Sequence, residues 1–188
     1  MASFIVGYIF LILGNIFSLY IFFTDLSLIF GLIFQDFIAY ILFAVGFNSL
    51  AKKYPVFRNA KILSHVLAAV STVAFLVSFV ISSDIIDIII GFIMSCVFYG
   101  RICLMYMAVK AITSLDTDIS SPLGSRNIDT WWFFACVLYG FSLASYILVL
   151  LGADLLSWVY IGFYDFALIA SCVFACYLNK ALSLLIKD

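Results

Sequence analysis

The sequence predicts an all-α protein: a polytopic transmembrane bundle of six helices arranged as three helical hairpins, with both termini in the cytoplasm. Three observations predict it. The 188 residues are 67% apolar and 10% charged, with mean hydropathy +1.28, against roughly 45–50% apolar and about 25% charged in soluble domains. The apolar residues gather into runs near the ~20 residues a helix needs to cross ~30 Å of hydrocarbon. Lysine and arginine collect on alternate connections between those runs. The runs lack the polar–apolar alternation of a membrane β-barrel.

Six spans follow: Ser3–Phe23, Leu26–Ala51, Ile62–Ser82, Ile85–Val109, Trp131–Leu151 and Leu155–Leu178. The first has no basic residue ahead of it and no small-residue cleavage site, so it reads as a span rather than a removable signal peptide. Thr24-Asp25, Ser83-Asp84 and Ala153-Asp154 are tight turns. Lys52–Lys61 and Thr113–Thr130 are longer loops, and they hold both prolines, Pro55 and Pro122. Lys52, Lys53, Arg58, Lys61, Lys110, Arg126, Lys180 and Lys187 fall on the loop side. Asp25, Asp84, Asp87 and Asp154 fall on the other. The bias of basic residues toward the cytoplasm sets the orientation. Trp131 and Trp132 then mark the inner interface and Trp158 the outer one.

The chain reads as one transmembrane domain, 1–188, made of hairpins 1–52, 61–111 and 130–181. The second helix of each hairpin opens on an Asp (Asp25, Asp84, Asp154) and reaches a Lys (Lys52, Lys110, Lys180) near its end. Acid at a helix start and base at its end both suit the helix dipole. Capping and topology produce this pattern as readily as an internal duplication does. Small residues mark where helices touch: Gly7 and Gly14; Ser64, Ala68, Ser71 and Ser78; Cys136, Gly140 and Ala144; Ala167, Ser171 and Ala175.

Little here carries chemistry. The ten acids are all Asp, so a His-Glu-x-x-His zinc motif is excluded, and no Gly-x-Ser-x-Gly nucleophile occurs. Cys96, Cys103, Cys136, Cys172 and Cys176 sit in apolar runs and read as small, buried packing residues, not as the coordinated thiolates of a metal site. His65, the only histidine, reads as an interfacial polar residue. A net charge of -1 provides no basic face for nucleic acid. The Asp116–Ser121 segment reads as a solvated turn. No cofactor and no metal is expected.

Asp36, Arg101 and Asp165 are the ionisable residues inside apolar runs, and with Gln35 they form the candidate intramembrane polar site. Asp36 follows Asp25 by 11 residues and Asp165 follows Asp154 by 11. At 1.5 Å per residue both lie about 16 Å below the outer surface. Charge at that depth is rare and costs at least ~2.5–3.5 kcal/mol on insertion scales. Three roles fit: a hydrogen bond to a neighbouring helix, a buried Asp–Arg pair, or a proton or cation pathway. Tyr164-Asp165 has the form of one half of an intramembrane aspartyl protease, but no Gly-x-Gly-Asp partner exists.

The stretch Gln35-Asp36-Phe37-Ile38-Ala39-Tyr40-Ile41-Leu42, followed by Gly46, Leu50, Phe57 and Ala60-Lys61, resembles a group of small polytopic membrane proteins of Gram-positive bacteria. These carry Pro-Asp-Phe-Ile-Gly-Tyr-Ile-Leu ahead of a Phe-x-x-Ala-Lys loop. The likeness covers residues 35–61 and departs at Gln35 and Ala39. It implies a bacterial plasma membrane and carries no activity with it. Pro-Asp in that group also implies a helix start, which would make Asp36 an N-cap near the outer face instead of a residue deep in the span.

Two expectations follow for function. The first is a non-enzymatic membrane subunit that binds, anchors or senses through a membrane protein partner or a second copy. The second is a small proton- or cation-coupled transporter using Asp36 and Asp165.

Overall fold

The computed structural model describes residues 4–11, 29–80, 84–116, 123–150, 152 and 157–187, and the side chains of these except at 29–36, 78–80, 84–88, 91, 94–95, 146, 149–150 and 186–187. All regular structure among these residues is helical, as expected. Residues 4–11 form α1. They are followed by α2 (Ile29–Lys53), a 3-10 turn (Pro55–Phe57), α3 (Arg58–Val80), α4 (Asp84–Asp116), α5 (Ser125–Leu150) and α6 (Ser157–Lys187). Among the described residues, three helical stretches are long and apolar enough to cross a membrane: Pro55–Val77, Cys96–Asp116 and Ser157–Leu185. The turns at Thr24-Asp25 and Ala153-Asp154, and the small residues Gly14 and Ser78, lie outside the described residues or side chains.

The two long loops are shorter than the charge pattern suggests. α2 runs on through Lys52 and Lys53, whose charges meet the negative end of its dipole. Pro55 forces Tyr54 into extended backbone, φ -125° and ψ 100°. The chain then reverses in a single turn, with Tyr54 N–H donating to the Leu50 carbonyl at 2.7 Å. Phe57 is fully buried there, its ring 6.1 Å from that of Phe47. The other loop loses residues at both ends, because α4 continues to Asp116 and α5 starts at Ser125. No proline or glycine interrupts Thr113–Asp116, so the helix has no reason to stop earlier.

The chain divides into two compact units, Met1–Ala111 and Ile112–Asp188. The residues of the first two expected hairpins, 1–52 and 61–111, fall in unit 1 and those of the third, 130–181, in unit 2. Unit 1 has an aromatic centre: Tyr40, Phe43, Phe47 and Phe57 are buried, with Phe4 of α1 set edge-on to Phe47 at 4.9 Å. Glycine makes this approach possible. A methyl group at Gly46 would lie 2.5 Å from the Phe4 ring, and one at Gly7 would lie 3.2 Å from the Ala39 carbonyl oxygen. Ser64, Ala68 and Ser71 line the buried face of α3 as expected. Gly100 of α4 meets Leu67 of α3 in the same way.

Unit 2 is built on the pairing of α5 with α6. The Tyr139 and Tyr164 rings meet edge-on at 6.0 Å, the Phe141 and Phe163 rings stack at 5.3 Å, and the Ser171 hydroxyl donates to Tyr139 Oη at 3.4 Å. Asp116 closes the connection into α5. Its carboxylate accepts from Leu123 N–H at 2.5 Å and from both the hydroxyl and the N–H of Ser125. An acid at the end of α4 is poorly placed for that helix's own dipole. It is well placed for the free N–H groups and positive end of α5. Gly124, at φ +71°, supplies the left-handed backbone that the turn into α5 requires.

Candidate functional site

Asp36 lies within α2, seven residues past Ile29. It does not begin the helix, which removes the N-cap alternative for this chain. The side chains of Gln35 and Asp36 lie outside the described residues. Arg101 is half-buried on α4, and its guanidinium stands over the Phe98 ring one turn back, 4.7 Å from the centroid. That contact disperses some of its charge onto an aromatic face. Arg101 belongs to unit 1 and Asp165 to unit 2.

Asp165 stands differently from what a polar interior requires. It is exposed, and no described residue of its own unit offers it a hydrogen bond or an ion pair. The geometry of α6 explains this. Ala167, Ala170, Phe174 and Leu178 form its buried face. At 100° per residue, Asp165 falls on the opposite side, with Trp158, Gly162, Ile169 and Cys176. On and beside that side Trp158 is 76% exposed, Phe166 63% and Ile169 59%. Gly162 lies one turn before Asp165, and a methyl group added there would meet nothing within 4 Å. The outer face of α6 is thus apolar, notched at Gly162, and carries one carboxylate.

Sequence reasoning misplaced several residues here. Gly140 and Ala144 are exposed, so they do not make the α5–α6 contact. Ile128, Ala135, Ser142 and Ser145 are the buried positions of α5 among the described side chains, spaced by seven, seven and three. Small residues occur on both faces of α5, and their spacing alone does not choose between them. Cys96, Cys103 and Cys176 are exposed rather than buried. A thiol is small and apolar enough to face hydrocarbon at little cost. His65 does behave as a surface polar residue, with Nδ1 2.7 Å from the Lys61 carbonyl oxygen. Gly162 was missed, and Asp116, read as the start of a solvated turn, is instead the last residue of α4 and holds the start of α5. The signals were a glycine three residues before an Asp in an apolar run, and an acid ahead of a Leu-Gly-Ser helix start.

Unit 1 also holds a cavity of about 480 Å³ between α3 and α4. Ala69, Val73, Ala74, Val77, Ile90 and Ile93 are among its walls, and no polar side chain lines it. Such a space suits hydrocarbon and offers nothing to an ion. Comparison with known proteins finds no matching family model, no similar curated protein and no similar solved structure.

Proposed function

We propose that the chain is a non-enzymatic membrane subunit that acts by binding a partner within the bilayer. In this reading it crosses a bacterial plasma membrane six times, as three hairpins with both termini cytoplasmic. The observation that carries the proposal is the exposed Asp165 on a helix apolar enough to span. Trp158 suits the headgroup level, which sets Asp165 about 10 Å deeper along α6. Left facing lipid, a carboxylate there costs at least ~2.5–3.5 kcal/mol. A partner helix that covers the face and supplies a hydrogen bond removes that cost. The carrier reading, with Asp36 and Asp165 alternately protonated or ion-bound, needs a polar cavity reaching both. An exposed carboxylate on an apolar helix face calls for a partner helix rather than for a cavity, so the subunit reading is the better supported.

A photo-crosslinking residue in place of Ile169, irradiated in native membranes, tests the proposal. A discrete protein adduct is expected, and none when the same probe replaces buried Ala167. Adducts with lipid alone would sink it. Reporter fusions at the C-terminus and after Lys53 test the topology, and both should report cytoplasm.

A further inference from the structure

We infer that the helix covering the outer face of α6 belongs to another membrane protein and carries a basic side chain, Lys or Arg, that pairs with Asp165. The inference rests on the subunit reading and names the chemistry of the partner. Three features of the face select it. The first is charge: Asp165 is the one ionised-type side chain among the exposed apolar residues Trp158, Phe166 and Ile169. A basic donor neutralises it and satisfies its acceptor oxygens at once. The second is the notch at Gly162, where open space above the backbone lets a partner helix approach closely one turn from the carboxylate. A long Lys or Arg side chain can then lie along the Ile169 side and still reach Asp165. The third is symmetry. A second copy docked through the same face would set Asp165 opposite Asp165, two like charges in a medium of low dielectric. Lipid tails have no donor to offer.

The probes are synthetic single-span peptides, polyleucine with Lys, Leu or Asp at the centre, added to the full-length labelled chain in phosphatidylcholine vesicles. Association is read by energy transfer. The Lys peptide should bind about five- to thirty-fold more tightly than the Leu peptide. Asp165→Asn should abolish that preference and Asp165→Glu should keep it. Gly162→Leu should weaken binding of the Lys peptide with Asp165 intact. Because these residues face outward, the variants should elute as the parent does in detergent. Equal binding of Lys and Leu peptides by the parent would overturn the inference. So would a preference that survives Asp165→Asn, or strongest binding of the Asp peptide, which would indicate pairing of acids as between two copies.

The Ile169 crosslink separates the two levels. An adduct with a helix that has no basic residue leaves the subunit reading standing and removes the basic partner. Absence of any protein adduct removes the subunit reading itself, whatever the peptides do.

Discussion

Units 1 and 2 draw on the same residue types and dispose of them differently. In unit 1 the rings of α2 and the turn after it lie inside, with Tyr40, Phe43, Phe47 and Phe57 each 0 or 1% exposed, and the exposed rings Phe92 and Tyr99 belong to α4. In unit 2 the large rings at Phe133, Phe134, Phe141, Trp158 and Phe166 are more than half exposed, while the buried positions include Ala135, Ser142, Ser145, Ala167 and Ala170. Lipid tails are as apolar as these rings, so hydrophobicity gives no reason to hide them. Close packing gives that reason, and it operates where glycine lets a ring approach a backbone. Unit 1 has such sites at Gly7 and Gly46, and Gly100 admits the Leu67 side chain in the same way. In unit 2, Gly140 and Gly162 meet nothing. The α1–α3 part of unit 1 is therefore organised around its own ring contacts, whereas unit 2 keeps its large rings at the surface.

That contrast can be broken. Phe43→Ala should lower the unfolding free energy by about 3 kcal/mol or more, as truncation of buried rings does. Phe166→Ala should stay within about 0.5 kcal/mol of the parent. Denaturation by SDS in mixed micelles, followed by circular dichroism, measures both. Similar losses at the two sites would erase the distinction between the units.

A matched pair of glycines sharpens it. Gly46→Ala drives a methyl into the Phe4 ring, itself held between Phe43 and Phe47, and should cost about 1–3 kcal/mol. Gly140→Ala meets open space on a helix and should be neutral, or stabilise by up to about 1 kcal/mol through propensity. Thermal unfolding in detergent should place the two variants on opposite sides of the parent, or the parent between a large loss and no change.

The smallest effect concerns the connection into α5. Asp116→Ala removes the acceptor for Leu123 and Ser125 and should cost about 1 kcal/mol, as other capping losses do. Hydrogen exchange should speed up at the amides of Leu123 and Ser125 and stay unchanged in α2 and α3. Unchanged exchange at Ser125 would show that the Gly124 turn holds that helix start without the carboxylate.

The all-helical character was legible in the sequence because length and apolarity of a run are enough to mark a helix. The boundaries were less so. Lys52 and Lys53 look like loop residues by charge, yet they suit the end of α2, since base at a helix terminus is favourable. The site was legible in part. Asp165 is conspicuous as a charge in an apolar run. Which way it points depends on the phase of α6 against α5, and that phase is set by Tyr139, Ser171 and the Phe141–Phe163 stack, contacts between residues far apart in the chain. Gly140 and Ala144 misled for the same reason: spacing identifies a face, and only the partner helix shows which face is used.

The helix lengths have a consequence for bilayer thickness. Pro55–Val77 holds 23 residues and Ser157–Leu185 holds 29, about 34 Å and 44 Å at helical rise. A core of ~30 Å is nearly matched by the first and exceeded by the second. In a thicker membrane α3 reaches its limit while α6 still has apolar length to spare. In a thinner one α6 must tilt or carry apolar turns into the headgroups. A chain that spans with both helices would sit at least cost in membranes of ordinary or slightly greater thickness, and the tilt of α6 would be a gauge of the bilayer around it.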